Sequence, residues 1–139
     1  MSETVLDKIV AHRRADLAKL LEKYPRKSIQ AELHPSERDF YQALAEAKAE
    51  SRPSFILECK RASPSKGLIR EDFDIKEIVQ AYAPFATVIS VLTEERHFGG
   101  DFENIALAKA ESSQPILCRD LIVEAYQIEL ARYFGADAV

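Results

Sequence analysis

The amino-acid sequence predicts an α/β protein with a parallel sheet. The main reason is the order of its segments. From Pro53 onward, short apolar runs alternate with longer runs that have a helical period. Composition is the second reason, because 47% hydrophobic and 30% charged residues in a chain of 139 are typical of a globular domain with its own core.

Residues 1–50 differ from the rest and are expected to form a helical extension. The apolar positions of residues 3–24 recur with a period close to that of a helix. Ser36 is expected to cap a further helix over residues 37–49, with Tyr41 on its apolar side.

Residues 51–139 are expected to contain three strand–helix units. The strands lie in the runs SFILECK, TVISVLT and PILCRDLIV, and each is followed by a run with helical periodicity that ends, in the third unit, at Gly135. The last residues, ADAV, look like the start of a fourth strand. Since proteins avoid bare parallel edges, the chain is expected to be a fragment of a longer one.

The predicted strands carry charged side chains where they end. Because alternate side chains of a strand point to opposite faces, Glu58 and Lys60 share one face, and Arg119 lies on the corresponding face of the third strand. In parallel α/β folds this end of the sheet carries the active site. Two interpretations remain open: an ion pair that closes the mouth of the fold, or a site that binds a ligand.

The connection after the first predicted strand, residues 61–73, is unusually long. It is rich in basic residues although the chain has a net charge of −4. This concentration is interpreted either as an anion site, to which Ser63 and Ser65 add hydroxyl groups, or as ordinary solvated charge. The basic residues are Lys60, Arg61, Lys66 and Arg70.

The run FGGDF at residues 98–102 is a second candidate loop. Two glycines allow a tight turn or the close approach of a ligand. Phe98 is interpreted either as the wall of a pocket for a planar substrate or as a core residue beside a turn. The run does not match a dinucleotide or P-loop motif, so no nucleotide site is predicted.

Several classes of function are excluded by what the sequence does not contain. Its acidic balance and the absence of a basic face argue against nucleic-acid binding. It has no apolar run of about 18 residues and no signal peptide, so a cytoplasmic protein without a membrane partner is expected.

The cysteines and histidines do not suggest a disulfide or a metal site. Cys59 and Cys118 lie in apolar runs and are expected to be free, buried thiols. The three histidines are far apart in the sequence.

The runs ILECKRASPSKG, ISVLTEERHFGGDFENI and QPILCRDLIVEAYQIELARYFGADAV together resemble the indole-3-glycerol phosphate synthase family. The runs TVLDKIVAHRRADL and HPSERDFYQAL resemble the helical extension of that family. The likeness covers essentially the whole chain and is closest to the bacterial form fused to phosphoribosylanthranilate isomerase. It implies a (β/α)8 barrel, with residues 51–139 as its truncated first half.

The resemblance implies a carboxy-lyase of tryptophan biosynthesis. This family closes the ring of 1-(2-carboxyphenylamino)-1-deoxyribulose 5-phosphate, an anionic small molecule, to give indole-3-glycerol phosphate, and it releases carbon dioxide and water. It implies neither an organic cofactor nor a metal, and it leaves room for a fused C-terminal isomerase domain.

The resemblance also implies roles for individual residues. Lys60 matches a lysine that contacts the substrate and is implicated in proton transfer, and Glu58 matches a glutamate that positions and tunes that site. Ser63 lies, with Ser65, in the loop that closes over the anionic substrate. Phe98 matches an aromatic wall of the substrate pocket.

One position departs from the family pattern. The family has a lysine in a K-D-F context as its general acid, whereas this chain has Arg119 in the run CRDL. Arginine is effectively always protonated and donates protons poorly, although it can hold a carbonyl or carboxylate. Three explanations stay open: an attenuated enzyme, a general acid shifted to Lys60, or a sequence variant.

Further catalytic and phosphate-binding residues of the family lie beyond the part that this chain matches. The isolated chain is therefore expected to be inactive. The alternatives are another phosphate-binding barrel enzyme of amino-acid biosynthesis and a non-catalytic half-barrel that acts as an assembly partner.

Overall fold

A computed structural model describes residues 2–139 of the chain, and its first part consists of helices. Thr4 caps the first of them, and Asp7 completes a capping box, so the helix expected over residues 3–24 is confirmed. The helices are α1 (Val5–Lys23), α2 (Arg26–Gln30) and α3 (Phe40–Ala49).

Helix α3 begins later than the sequence predicted. Its N-cap is Asp39, whose carboxylate accepts a hydrogen bond from the backbone N–H of Gln42. Ser36 instead donates its hydroxyl to the carboxylate of Asp137 at 2.6 Å, a contact that no local pattern reveals. The placement of Tyr41 on the apolar side was also wrong, because this residue is 79% exposed.

The second part of the chain alternates strands and helices as predicted. In chain order the elements are β1 (Ile56–Cys59), β2 (Ala62–Ser63), β3 (Gly67–Leu68), α4 (Ile75–Tyr82), β4 (Val88–Leu92), α5 (Glu103–Ala110), β5 (Ile116–Arg119) and α6 (Ala125–Phe134). Strands β1, β4 and β5 form a parallel sheet in the order β1-β4-β5, and the part of the chain that the structure describes does not close into a barrel.

The register of the sheet separates a polar face from an apolar one. Glu58 of β1 lies beside Ser90 of β4, and Arg119 of β5 lies beside Leu92 of β4. Since Ser90 and Leu92 are two residues apart, Glu58, Ser90 and Arg119 share one face of the sheet. The opposite face is apolar and packs into the core beneath helices α4, α5 and α6. Its buried strand residues are Cys59, Ile89, Val91, Ile116 and Cys118.

Strands β2 and β3 form a small antiparallel hairpin inside the long connection after β1. No pattern in the sequence predicted this hairpin, since each strand has only two residues. Gly67 has φ +66°, a conformation that glycine adopts without steric cost, and it opens the returning strand.

The last residues add to the sheet as expected. Helix α6 ends at Gly135, whose φ of +111° lies in the left-handed region. Ala138 then forms a parallel bridge with Leu117, and its carbonyl accepts a hydrogen bond from the N–H of Cys118 at 2.9 Å.

The other edge of the sheet is open. Strand β1 pairs with β4 alone among the strands of residues 2–139, and Phe55 and Ile56 are each about half exposed. None of the helices formed by residues 2–139 is long and apolar enough to cross a membrane.

Candidate active site

Three charged side chains converge at the carboxyl end of the sheet. Glu58 Oε2 lies 3.0 Å from Lys60 Nζ, and Glu58 Oε1 lies 3.7 Å from a guanidinium nitrogen of Arg119. Ser90 donates its hydroxyl to Glu58 Oε1 at 3.4 Å. The residues that the sequence placed on one face of two strands therefore meet around a single carboxylate.

Stability alone gives little reason for this cluster. Lys60 is 33% exposed and Arg119 is 65% exposed, and ion pairs in contact with water contribute only about 0–1 kcal/mol. The cluster has two cations for one partly solvated carboxylate, so an anionic group could still approach it from the solvent.

A cavity of about 200 Å³ opens beside this cluster. It combines two cations and two carboxylates with apolar walls, which is a common composition for small-molecule sites. The cavity is lined by Glu58, Lys60, Leu92, Phe98, Arg119, Asp120 and Leu121.

A residue at the end of helix α4 holds the backbone at Glu58. The hydroxyl of Tyr82 donates a hydrogen bond to the Glu58 carbonyl at 2.9 Å. Cys59, next to it, faces the core, where burial and the nearby Glu58 carboxylate raise the pKa of its thiol to about 12. Cys59 therefore stays protonated and packs as a small apolar residue, as does Cys118, whose thiol pKa burial also raises to about 12.

Phe98 reaches the cavity because a buried glutamate shapes the turn after β4. Glu94 is 0% exposed, and its carboxylate accepts hydrogen bonds from the backbone N–H groups of Arg96, His97 and Phe98 at 3.1, 2.7 and 3.0 Å. Sequence reasoning missed Glu94. The signal was present, since an acidic residue stands just before a double-glycine turn.

The two glycines of this turn serve the backbone. A Cβ on Gly100 would lie 2.3 Å from the carbonyl oxygen of Leu92, and Gly99 has φ +63°. The turn also holds the hairpin, because the Phe98 carbonyl accepts a hydrogen bond from the N–H of Ala62 at 3.2 Å. This hydrogen bond joins the wall of the cavity to the loop that follows β1.

The two serines of that loop lie outside the cavity lining. Ser63 is buried, and its hydroxyl oxygen accepts a hydrogen bond from the N–H of Lys66 at 3.2 Å. Ser65 is exposed on the turn of the hairpin. Their role in binding substrate stays a prediction.

The basic residues of the same loop do not share one site. Arg61 and Arg70 donate hydrogen bonds to the carbonyls of Glu71 and Asp72, so they hold the loop together. Among the four basic residues singled out from the sequence, Lys60 alone lines the cavity.

Two histidines that are far apart in the sequence meet in the structure. His12 Nδ1 and His97 Nε2 are 3.0 Å apart, and their rings stack with centroids separated by 5.2 Å. Residues 2–139 contain no group of three His, Cys, Asp or Glu side chains that could hold a metal ion.

The comparison with protein families agrees with the resemblance noted from the sequence. The model of the family described as indole-3-glycerol phosphate synthase matches residues 6–139. The chain belongs to the indole-3-glycerol phosphate synthase family. The matched segment includes every residue of the cavity, so Arg119 lies within it.

Similar proteins extend well beyond this indole-3-glycerol phosphate synthase segment. Tryptophan biosynthesis protein TrpCF of Salmonella typhi is 48% identical over 136 residues, which are 98% of this chain and 29% of that protein. The proteins of the same name from Helicobacter pylori and Haemophilus influenzae are 46% and 45% identical and are covered to 28% and 29%. The chain thus spans less than a third of the length of these relatives.

Proposed function

We propose that this chain forms the first part of an indole-3-glycerol phosphate synthase. The reaction is the ring closure of 1-(2-carboxyphenylamino)-1-deoxyribulose 5-phosphate, with loss of carbon dioxide and water. One observation carries the proposal: Glu58, Lys60 and Arg119 converge beside a cavity at the carboxyl end of a parallel sheet, in a chain that belongs to this family.

The proposed architecture is a (β/α)8 barrel of which this chain supplies only part. Residues 1–50 would form the helical extension and residues 51–139 the first strand–helix units. Support comes from the parallel order β1-β4-β5 and from the greater length of the relatives. A cytoplasmic enzyme with a fused isomerase domain is part of the same proposal.

The chemistry follows from the charges around the cavity. Lys60 gives and takes a proton at the ribulose carbonyl, and Glu58, 3.0 Å away, holds the lysine in place. Phe98 and the two leucines of the cavity provide an apolar wall for the aromatic ring of the substrate. Protonation of the carbonyl makes its carbon electrophilic, and the ring attacks it to form a carbon–carbon bond and a hydroxyl group. The carboxylate then leaves as carbon dioxide, which restores the aromatic ring. Finally the protonated hydroxyl leaves as water while the neighbouring carbon loses a proton.

Arg119 would bind rather than transfer protons. Its guanidinium presents several N–H donors in a plane, which suits a carbonyl or carboxylate oxygen. Because it stays protonated, Lys60 is the residue of this cluster best able to supply the proton.

A chimera tests the proposal. In it, this chain replaces the matched segment of the Salmonella typhi relative, and the unmodified relative serves as the control. We expect the chimera to form indole-3-glycerol phosphate and residues 1–139 alone to form none.

Either of two results would count against the proposal. Turnover by the isolated chain would show that the site is complete within residues 1–139. A folded chimera without turnover would favour the second candidate, a half-barrel that acts only as an assembly partner, which the open edge of β1 supports.

A further inference from the structure

A buried ion pair joins helix α1 to the residue that follows Arg119. The Arg13 side chain is 2% exposed, the Asp120 side chain is 0% exposed, and the guanidinium of Arg13 donates a hydrogen bond to Asp120 Oδ2. These residues are 107 positions apart in the sequence.

Asp120 ties together three parts of the molecule. Its Oδ2 also accepts a hydrogen bond from the hydroxyl of Thr93 at 2.6 Å, at the end of β4. Its Oδ1 accepts one from the N–H of Leu121 at 2.7 Å, just beyond β5. One carboxylate therefore fixes α1, the end of β4 and the end of β5 relative to one another.

Stability does not explain why this site is charged. A buried ion pair loses the hydration of both ions, and well-packed apolar residues of similar volume are often at least as stable. The Nε of Arg13 is moreover buried without a hydrogen-bond partner. What the pair provides, and what an apolar pair would not, is a directed set of hydrogen bonds at the rim of the cavity.

The hydrogen bonds of Asp120 and Thr93 can affect the position of Arg119. Its side chain is 65% exposed, and its 3.7 Å contact with Glu58 is too long to be a hydrogen bond that holds it in place. The backbone is held more firmly, because the Arg119 carbonyl accepts a hydrogen bond from the N–H of Thr93 at 3.0 Å. Thr93 thus binds both Arg119 and Asp120.

We propose that Asp120 is a positioning residue for Arg119, supported by Arg13 of helix α1 and by Thr93. This rests on the proposed function, in which Arg119 holds an oxygen of the substrate. Helix α1 then helps to position Arg119 through Arg13, although none of the residues of α1 lines the cavity.

Asp120 does not replace the missing general acid. Burial raises the pKa of its carboxyl group, while the charge of Arg13 opposes this rise. Both of its oxygens nevertheless already accept hydrogen bonds from protein donors, so its carboxylate is not free to exchange a proton with a substrate.

A double-mutant cycle tests the proposal in the chimera, in which this chain replaces the matched segment of the Salmonella typhi relative. Asp120→Asn is expected to lower kcat about 100-fold, because a displacement of about 1 Å has effects of that size. In the Arg119→Ala background it should lower kcat no further, because the residue that it positions is absent. An equal fold-loss in both backgrounds would overturn the proposal.

A milder variant covers the case in which Asp120→Asn does not fold. Thr93→Val removes the hydroxyl, which hydrogen-bonds Asp120 Oδ2 at 2.6 Å and makes longer contacts with Cys118 Sγ at 3.4 Å and the Arg119 carbonyl at 3.5 Å. It leaves the ion pair, so it should lower kcat less than Asp120→Asn does. Thr93→Ser keeps the hydroxyl and should restore kcat. If Thr93→Ser and Thr93→Val have the same kcat, the hydroxyl does not position Arg119.

Asp137→Asn is the matched control. Asp137 is also 0% exposed, and it is paired with Lys109 at 2.6 Å and hydrogen-bonded to the N–H of Ile116 at the opposite end of β5. The substitution Asp137→Asn should change kcat by the same factor in the chain with Arg119 and in the Arg119→Ala variant. Non-additivity of the same size at Asp137 would show that the cycle reports general destabilisation and would overturn the proposal.

Crystal structures separate this proposal from the proposed function. If the folded chimera does not turn over the substrate, the proposed function fails. The positioning role then stands if Thr93→Val moves the Arg119 guanidinium by about 1 Å or more away from Glu58, and it falls if Arg119 stays in place.

Discussion

At the scale of single residues, Arg119 is the position at which this chain departs from the family pattern of the proposed chemistry. It approaches Glu58 from the opposite side to Lys60, so it completes the cluster of charges. Lysine in this place would bring a primary ammonium group that can release its proton, whereas the guanidinium retains its proton throughout. The cavity therefore contains one residue suited to proton transfer instead of two.

Arg119→Lys should raise kcat in the chimera. A positioned general acid contributes about 100-fold to 10,000-fold to a rate, so restoring one should raise kcat at least about tenfold. Steady-state kinetics at several pH values measures this change. Arg132→Lys is the control, because Arg132 binds the carbonyl of Ala136, away from the cavity.

An unchanged or lower kcat in Arg119→Lys would contradict this account of the missing general acid. It would mean that Arg119 already performs the step through its hydrogen bonds, or that the proton comes from elsewhere in the site.

At the scale of elements, the turn between β4 and α5 organises one side of the cavity. Glu94 fixes its backbone, Phe98 forms the wall, and the hydrogen bond from Ala62 joins the hairpin to it. Helix α1 also reaches this turn, through the ion pair of Asp16 with Arg96 and the contact of His12 with His97. The loop after β1 and helix α1 thus both depend on how this turn is folded.

Gly100→Ala should displace the turn and lower stability. The new Cβ would lie 2.3 Å from the Leu92 carbonyl oxygen, and such overpacking costs about 1–3 kcal/mol. Chemical denaturation measures the change in the free energy of unfolding. Gly67→Ala is a useful comparison, because its Cβ would meet no atom within 4 Å and the strain comes only from φ +66°. Equal losses at both glycines would show that the contact with Leu92 is unimportant.

At the scale of the whole molecule, the sequence predicted the parallel sheet and the side of it on which the site lies. Alternation along the strands sufficed to bring Glu58, Lys60 and Arg119 to one face, because their neighbours Cys59 and Cys118 belong to the core. The alternation of side chains along a strand depends only on the local backbone conformation, so it can be predicted without knowing the tertiary contacts.

The parts that could not be predicted depend on contacts between distant segments. The ion pair of Arg13 with Asp120 and the hydrogen bond from Ser36 to Asp137 each join residues more than 100 positions apart. Nothing in the local pattern of either partner marks it. The same holds for His12 and His97, which looked scattered in the sequence and touch in the structure.

The central claim is that the cavity beside Glu58 is the beginning of a synthase active site in which Lys60 transfers a proton. Its most direct test compares Lys60→Ala with Lys66→Ala in the chimera. Both remove a lysine from the same basic segment, but Lys60 lines the cavity and Lys66 is exposed on the hairpin. The account predicts a loss in kcat of about 100-fold or more for Lys60→Ala and almost none for Lys66→Ala. Equal effects of the two substitutions, or full turnover without Lys60, would contradict it.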